Sequence, residues 1–242
     1  MCEEINNLRN ILHNSDNIVF FGGAGVSTES GIPDFRSADG LYSEKYAYPP
    51  ETILSRSFFD EHTEEFYQFY RDKMLYPDAK PNKAHIALAE LERQGKLKAV
   101  ITQNVDGLHT EAGSVNVLEL HGSALRNLCL ECDECYPVEM IINSEWIPLC
   151  SCGGVIKPDV VLYEEGLDPN VMSRATKAIY DADVLIVGGT SLNVYPAAGM
   201  INYYRGDKLI LINKSEISYD RYANLIIRES IGSALYEAVF EN

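Results

Sequence analysis

The stretch Gly23–Ser37 reads GAGVSTESGIPDFRS, and a short apolar run, Asn17–Phe21 (NIVFF), leads into it. An apolar run of that length ending in glycine reads as a buried strand. Gly22, Gly23 and Gly25 then stand close together. Glycines at the end of a first strand permit a tight turn and let backbone N–H groups come close to a phosphate. The stretch therefore reads as a dinucleotide loop. In a dehydrogenase, G-x-G-x-x-G opens directly into a long helix; here Gly31 and Pro33 interrupt any helix within about two turns. Asp34, Phe35 and Arg36 follow: an acid, an aromatic ring and a fixed cation. A loop that contacts phosphates and then places Phe and Arg over the cofactor points to chemistry on the cofactor itself.

Composition narrows the rest. The 242 residues suit one domain, or a large one with a small one, and 46% hydrophobic residues supply a sizeable core. A net charge of −16 lacks the basic footprint of a nucleic-acid binder and suits cationic partners such as lysine-rich segments. The N-terminal MCEEINNLRN is not read as a signal peptide, and no apolar run approaches the ~20 residues of a membrane span. The reading expects a cytoplasmic protein, a monomer, with no nucleic-acid or membrane partner.

The chain then alternates. Helices are expected over 3–13, 57–76, 82–94, 172–180, 197–204 and 230–240. Strands are expected over 17–21, 98–102, 117–120, 184–188, 209–213 and 225–228. The fold class is α/β, a doubly wound parallel (Rossmann-like) sheet with a smaller lobe. The sheet domain is assigned residues 1–37, 81–125 and 161–242. The lobe takes a helical insertion, 38–80, and a cysteine-bearing module, 126–160. Ligands in such sheets bind at the carboxyl ends of the strands, where Gln103–Asp106 and His121 fall.

Cys129-x2-Cys132 and Cys150-x-Cys152 are separated by 17 residues. Two cysteine pairs at that spacing signal a tetrahedral zinc site with four thiolates and no open position, hence a structural one. Cys135 offers an alternative partner for Cys132, and Cys2 is read as a bystander.

Beyond the glycine loop, the chain carries TQNVDGLH (Thr102–His109), LHG (Leu120–Gly122), KPDVV (Lys157–Val161) and GTSLNVYPA (Gly189–Ala197). In this order, with the cysteines, they resemble the sirtuin family, NAD-dependent protein-lysine deacylases of bacterial type. One departure is Gly22, where that family commonly has Thr. The resemblance implies transfer of the acetyl group of acetyl-lysine to ADP-ribose with release of nicotinamide. An ADP-ribosyltransferase or NAD glycohydrolase using the same pocket is the alternative. It also supports Cys129 with Cys132 as zinc ligands.

Breaking a nicotinamide–ribose bond needs a seat for the carboxamide, an enclosed apolar space and a base for the ribose hydroxyls. The resemblance places Asp106 at the carboxamide, Asn104 beside the ribose and Gln103 on a ribose hydroxyl. It makes His121 the general base, a role an ordinary pKa near ~6.5 suits. Asn104, Asp106 and His121 are the expected catalytic residues. Phe35 would shield the cationic state, and Arg36 would steady the loop or a phosphate. Gly23, Ala24, Gly25, Thr28 and Asp34 complete this half of the cofactor site. Gly189, Thr190, Ser191, Asn213, Lys214, Ser215 and Ile231 are expected at the other half.

The resemblance further implies that Val160, Val161 and Tyr163 line a tunnel for the acylated lysine, with the Val161 backbone bonding its amide. Glu165, Asn193 and Tyr195 lie on edges between which a peptide would add as a strand. Relatives that prefer acidic acyl groups share a Tyr-x-x-Arg pair. Here Tyr67 is followed by Tyr70, and Arg71 is one position on, turned about 100° away on a helix. A neutral short acyl group is therefore expected.

Overall fold

The structure, a computed structural model, describes residues 3–35, 40 and 47–240. The chain opens with α1 (Glu3–His13), which buries Ile5, Leu8 and Leu12 on one face. Strand β1 (Ile18–Gly22) is buried throughout. Two short 3-10 turns, Ala24–Val26 and Thr28–Ser30, stand where a dehydrogenase would place a helix; Gly31, at φ +84°, ends them. Next come α2 (Pro50–Ile53), α3 (Arg56–Glu61), α4 (Thr63–Lys73) and α5 (Lys83–Arg93). Then follow β2 (Leu97–Thr102), α6 (Leu108–Glu111) and β3 (Val117–Glu119). The cysteine region holds β4 (Gly122–Cys129), β5 (Cys135–Pro137), α7 (Glu139–Ile142) and β6 (Ile156–Val160). The chain closes with α8 (Pro169–Asp181), β7 (Val184–Gly188), β8 (Leu209–Ile212), β9 (Leu225–Ile227) and α9 (Ile231–Phe240).

Six strands form one parallel sheet in the order β3-β2-β1-β7-β8-β9. Strand order reverses direction between β1 and β7, the switch point at which open α/β sheets bind ligands. Both faces are covered, as a parallel sheet requires. One apolar layer joins Phe20, Val100, Ile186 and Ile210 to α1, α5 and α9. The other joins Phe21, Ile101, Leu185 and Leu211 to α8 and the 3-10 segment Ala197–Tyr203.

The smaller lobe has its own core of Phe58, Phe59, Phe66, Tyr67, Tyr70, Ile141 and Ile156, with Cys129 and Cys150 among them. Its antiparallel sheet has the order β5-β4-β6. These strands were not expected from the sequence, and β4 begins at Gly122, ahead of residue 126. The helix expected over 57–76 is two helices: α3 ends at His62, whose φ −132° and ψ 47° are not helical. Ser55 caps α3 by accepting from the Phe58 N–H at 3.2 Å. No helix among the described residues is long and apolar enough to cross a membrane.

Candidate active site and metal centre

Three strand ends converge at the switch point. Gly22 of β1 is in register with Thr102 of β2 on one side and Gly188 of β7 on the other. The loops beyond them are in direct contact: Gly25 N–H donates to the Gly189 carbonyl at 2.8 Å. A Cβ on Gly25 would stand 2.8 Å from Gly189 Cα, and one on Gly23 would stand 2.9 Å from Thr190 Cβ. Gly189 itself has φ +59°. Bare backbone is thus a requirement of the cradle, and such a cradle suits a phosphate. Ala24 opens the first 3-10 turn behind Gly23, which supplies no side-chain cap. The Thr28 hydroxyl turns back onto the Gly25 carbonyl at 3.0 Å and closes the loop. Asp34 and Phe35 are half-buried. Phe35 packs against the lobe core. Arg36 lies outside the described residues.

The TQNVDG stretch meets the glycine loop through Ser27, a residue not singled out from the sequence. Its hydroxyl donates to Asp106 Oδ2 at 2.6 Å and accepts from Asn104 Nδ2 at 3.0 Å. Asp106 Oδ1 accepts the Leu108 N–H at 2.9 Å. Ser27 is 1% exposed, so this three-residue link sits beneath the site floor. Gln103 Nε2 donates to the Thr190 hydroxyl at 3.0 Å, joining the two halves across the switch point.

His121 stands two residues past β3. Its Nδ1 lies 2.9 Å from the Gln103 carbonyl. A carbonyl can only accept, so Nδ1 carries the proton and Nε2 keeps a lone pair. Burial pushes the imidazole below its ordinary pKa, and the Gln103 carbonyl partly opposes this. The ring is therefore neutral at pH 7. The His121 carbonyl accepts the Val161 N–H at 3.0 Å, which sets the start of the 161–165 loop against His121.

The second half of the cradle is tied by Asn213. Its side chain accepts from Thr190 N–H at 3.1 Å and donates to Thr190 O at 3.0 Å. The Asn213 amide thus holds the Thr190 loop from both sides of one residue. Ser191 is half-buried; Lys214 and Ser215 are exposed. Ile231 is buried under the strand ends, where a Cβ on Gly188 would touch its Cδ1. Asn193 and Tyr195 are exposed, and the Tyr195–Pro196 bond is cis.

On the peptide side, Val160 is buried, Val161 half-buried and Tyr163 exposed. Glu165 is not open to a substrate through its carboxylate. One oxygen accepts from Leu162 N–H at 2.8 Å and Lys157 Nζ at 3.2 Å, and the other faces Arg56 at 3.3 Å. Tyr67 donates its hydroxyl to the Ile156 carbonyl, and Arg71 reaches the Trp146 carbonyl at 3.0 Å. Arg71 is thus engaged with the cysteine module.

Sequence reading also passed over the supports of the loop. Asn82, which caps α5, donates to the Val26 carbonyl at 2.8 Å and to Ser30 Oγ at 3.0 Å. Glu29 accepts the Gly232 N–H at 2.9 Å at the start of α9, where a carboxylate is favoured. His85 and His109 are both buried, with ring centroids 4.6 Å apart. Burial, then the neighbouring His85, hold His109 down at about 3.

The sulfurs of Cys129, Cys132, Cys150 and Cys152 all lie within 4.8 Å of one another. Neighbouring pairs stand 3.5 Å (Cys129–Cys152), 3.5 Å (Cys132–Cys152) and 3.6 Å (Cys132–Cys150) apart. Thiolates ~2.3 Å from one tetrahedral zinc would stand about 3.8 Å apart, whereas a disulfide needs ~2.05 Å. The four cysteines therefore fit zinc. Cys135 turns away to the Asp133 carbonyl at 3.9 Å, so Cys129 and Cys132 are the first pair. The Cys152 N–H and then the Tyr136 hydroxyl, 3.1 Å away, hold the Cys150 thiol down at about 6, which suits a ligand thiolate.

A glycine-lined switch point facing a neutral imidazole, beside a four-thiolate lobe, defines a dinucleotide-using enzyme with a structural metal. The Sir2 family profile matches residues 23–196. A protein of Clostridium acetobutylicum named NAD-dependent protein deacetylase is 60% identical over 239 residues, covering 97% of this chain and 98% of its own. One of the same name from Clostridium perfringens is 59% identical, covering 99% of this chain and 100% of its own. Among solved structures, a Sir2 homolog–NAD complex is 41% identical with a TM-score of 0.86, covering 97% of this chain and 92% of that one. A Sir2 variant with deacetylated p53 peptide and 3′-O-acetyl ADP-ribose is 38% identical with a TM-score of 0.90, covering 98% of each. The chain belongs to the Sir2 family.

Proposed function

We propose that this chain is an NAD-dependent protein-lysine deacetylase that moves the acetyl group of acetyl-lysine to ADP-ribose and releases nicotinamide. NAD, when bound, supplies the ribose that loses nicotinamide and takes the acetyl group. The glycine cradle of Gly23, Gly25 and Gly189 would hold its phosphates, with Ala24, Thr28, Asp34 and Ser191 around them. Asn104 and Asp106, fixed by Ser27, would orient the ribose and carboxamide; Gln103 would bond a ribose hydroxyl. His121 Nε2 would take a proton from a ribose hydroxyl, and Phe35 would keep water out. Asn213, Ile231, Lys214 and Ser215 would frame the adenosine end, Asn213 by positioning Thr190. Val160 and Val161 would line the lysine tunnel. The backbones at Tyr163, Glu165, Asn193 and Tyr195 would flank the peptide.

One observation carries this reading: His121 Nδ1 is committed to the Gln103 carbonyl, which leaves Nε2 as an unprotonated base beside the Asn104–Ser27–Asp106 link. The likeness to Sir2 structures holding NAD and a deacetylated peptide supports it. No observation favours an ADP-ribosyltransferase or glycohydrolase. The four cysteines would hold zinc for the lobe and do no chemistry. The division into a sheet domain (1–37, 81–125, 161–242), a helical insertion (38–80) and a zinc module (126–160) is part of the same proposal. So is a cytoplasmic monomer acting on acetylated proteins rather than nucleic acid or membrane. The engaged Arg71 supports a neutral short acyl group. The test is turnover of acetyl-lysine and succinyl-lysine peptides with NAD by wild type and His121→Ala. Removal of acetyl in preference to succinyl, lost in the variant, is expected. Preferred removal of succinyl would contradict the acyl choice.

A further inference from the structure

Lys157 is 9% exposed, an uncommon state for a lysine in a chain with abundant surface. Its ammonium sits where β6 ends, donating to the Val160 carbonyl at 2.9 Å and the Pro158 carbonyl at 3.3 Å. Its carboxylate partner among the described residues is Glu165 Oε2 at 3.2 Å. That same oxygen accepts the Leu162 N–H at 2.8 Å. The ammonium and the carboxylate therefore bracket Val161 from its two sides. Val160 O is held by Lys157, Leu162 N by Glu165 and Val161 N by the His121 carbonyl. The Val161 carbonyl lies outside these bonds. The loop is anchored further along as well. Tyr163 exchanges backbone bonds with Leu54 and Arg56 at 2.9 and 3.0 Å, and the Glu164 carboxylate accepts from Ser57 N–H and Oγ at 2.9 and 3.0 Å. Glu164 holds φ +77°, a conformation that needs such support.

We propose that Lys157 and Glu165 are positioning residues for the acyl-lysine substrate: their part-buried ion pair fixes the Val160–Leu162 backbone so that the Val161 carbonyl is presented to the lysine amide beside His121. This rests on the deacetylase reading above. Without the Lys157 ammonium, Glu165 keeps Arg56 at 3.3 Å on its other oxygen, but Glu165 Oε2 and the Val160 carbonyl lose the donor they share, so the bracket opens on that side. The charge lies on the peptide side of His121 and none of its bonds reaches the glycine cradle. Its loss therefore falls on peptide binding and spares NAD binding.

The experiment measures kcat, KM for an acetyl-lysine peptide and KM for NAD in wild type, Lys157→Met, Lys157→Arg and Glu165→Gln, with zinc content and thermal melting of each. Deacetylation by wild type tests the activity by itself; a wild type that releases no acetyl group removes both readings. With wild type active, Lys157→Met raises peptide KM about tenfold, the scale of a lost charged hydrogen bond. KM for NAD stays within about twofold, the pattern of lost substrate binding. Lys157→Arg, which keeps the cation, restores most of the peptide KM. Glu165→Gln keeps an acceptor for Leu162 N–H and gives a smaller rise in the same parameter. Should Lys157→Met lose its zinc or fold, Glu165→Gln carries the test through its own rise in peptide KM, with Lys157→Arg as the near-wild-type reference. Peptide KM unchanged in folded variants, or KM for NAD rising in parallel, overturns the proposal.

Discussion

The sheet and the lobe are stabilised by different means. The sheet buries two apolar layers, and strands such as Val184–Gly188 and Leu209–Ile212 are buried at every position. The lobe has an aromatic core beside helices of four, six and eleven residues, and its cysteine region adds strands of three, five and eight. Cys129 and Cys150 are part of that core. The sheet thus rests on two apolar layers, whereas the lobe combines a smaller aromatic core with four gathered thiols. The proposed active site lies on the seam. The cradle hangs from the sheet, while the Val161 loop is tied to both halves through His121 and Arg56. Disturbing the lobe should therefore cost peptide binding before it costs NAD binding.

The largest expected effect separates the two regions outright. Cys129→Ser, or zinc removal by a chelator, should withdraw most of the ~10–16 kcal/mol that a structural zinc can contribute. Hydrogen exchange should then show lost amide protection in β4, β5 and β6 with protection kept in β1, β2 and β7. Equal loss in both would mean that the sheet leans on the lobe. Next comes the seam. His121→Ala should lower kcat by about 10²–10⁴-fold, the range of a general base, with the melting temperature little changed. A variant within tenfold of wild type would remove the base assignment.

Smaller effects come from backbone. Gly122 has φ +76°, and a Cβ there would stand 2.0 Å from the Asp159 carbonyl. Gly122→Ala should therefore cost about 3 kcal/mol or more. Gly31, at φ +84° with open space around it, should cost only ~1 kcal/mol when changed to Ala. Urea denaturation compares the two, and similar costs would show that packing at the seam does not matter.

The smallest effect is a pH slope on the sheet side. His109 stays neutral in the folded chain down to about 3, while the unfolded chain binds that proton near ~6.5. The unfolded state binds more protons between those values, so stability falls as pH drops through that window. His109→Phe should flatten the slope of melting temperature against pH just below 6.5; an unchanged slope would contradict this. His121 is lowered as well, so the acid limb of kcat/KM should lie below ~6.5, with activity lost as the base gains its proton.

Legibility followed the same division. Fully buried parallel strands read as apolar runs, so the sheet was visible in the sequence, whereas the strand order that sets its switch point was not. In β5, by contrast, Cys135–Pro137 has no strand pattern at all, and only its antiparallel pairing with β4 makes it a strand. His121, Asn104 and Asp106 stood in ordered motifs. Ser27 and Asn82 did not, because each works by holding something distant: Ser27 meets Asp106 79 residues away, and Asn82 meets Ser30 52 residues away. No local spacing encodes such contacts. The Lys157–Glu165 pair was not visible for a related reason, since nothing in the spacing of a lysine and a glutamate eight residues apart shows that they meet.

The central claim is that an acetyl group leaves lysine for ADP-ribose at the His121 side of the switch point. Mass spectrometry of an acetyl-lysine peptide incubated with NAD and wild-type protein tests it directly. The account predicts a peptide lighter by one acetyl group, with nicotinamide and acetylated ADP-ribose formed in equal amounts. A peptide or protein that keeps its acetyl group and gains ADP-ribose would contradict it.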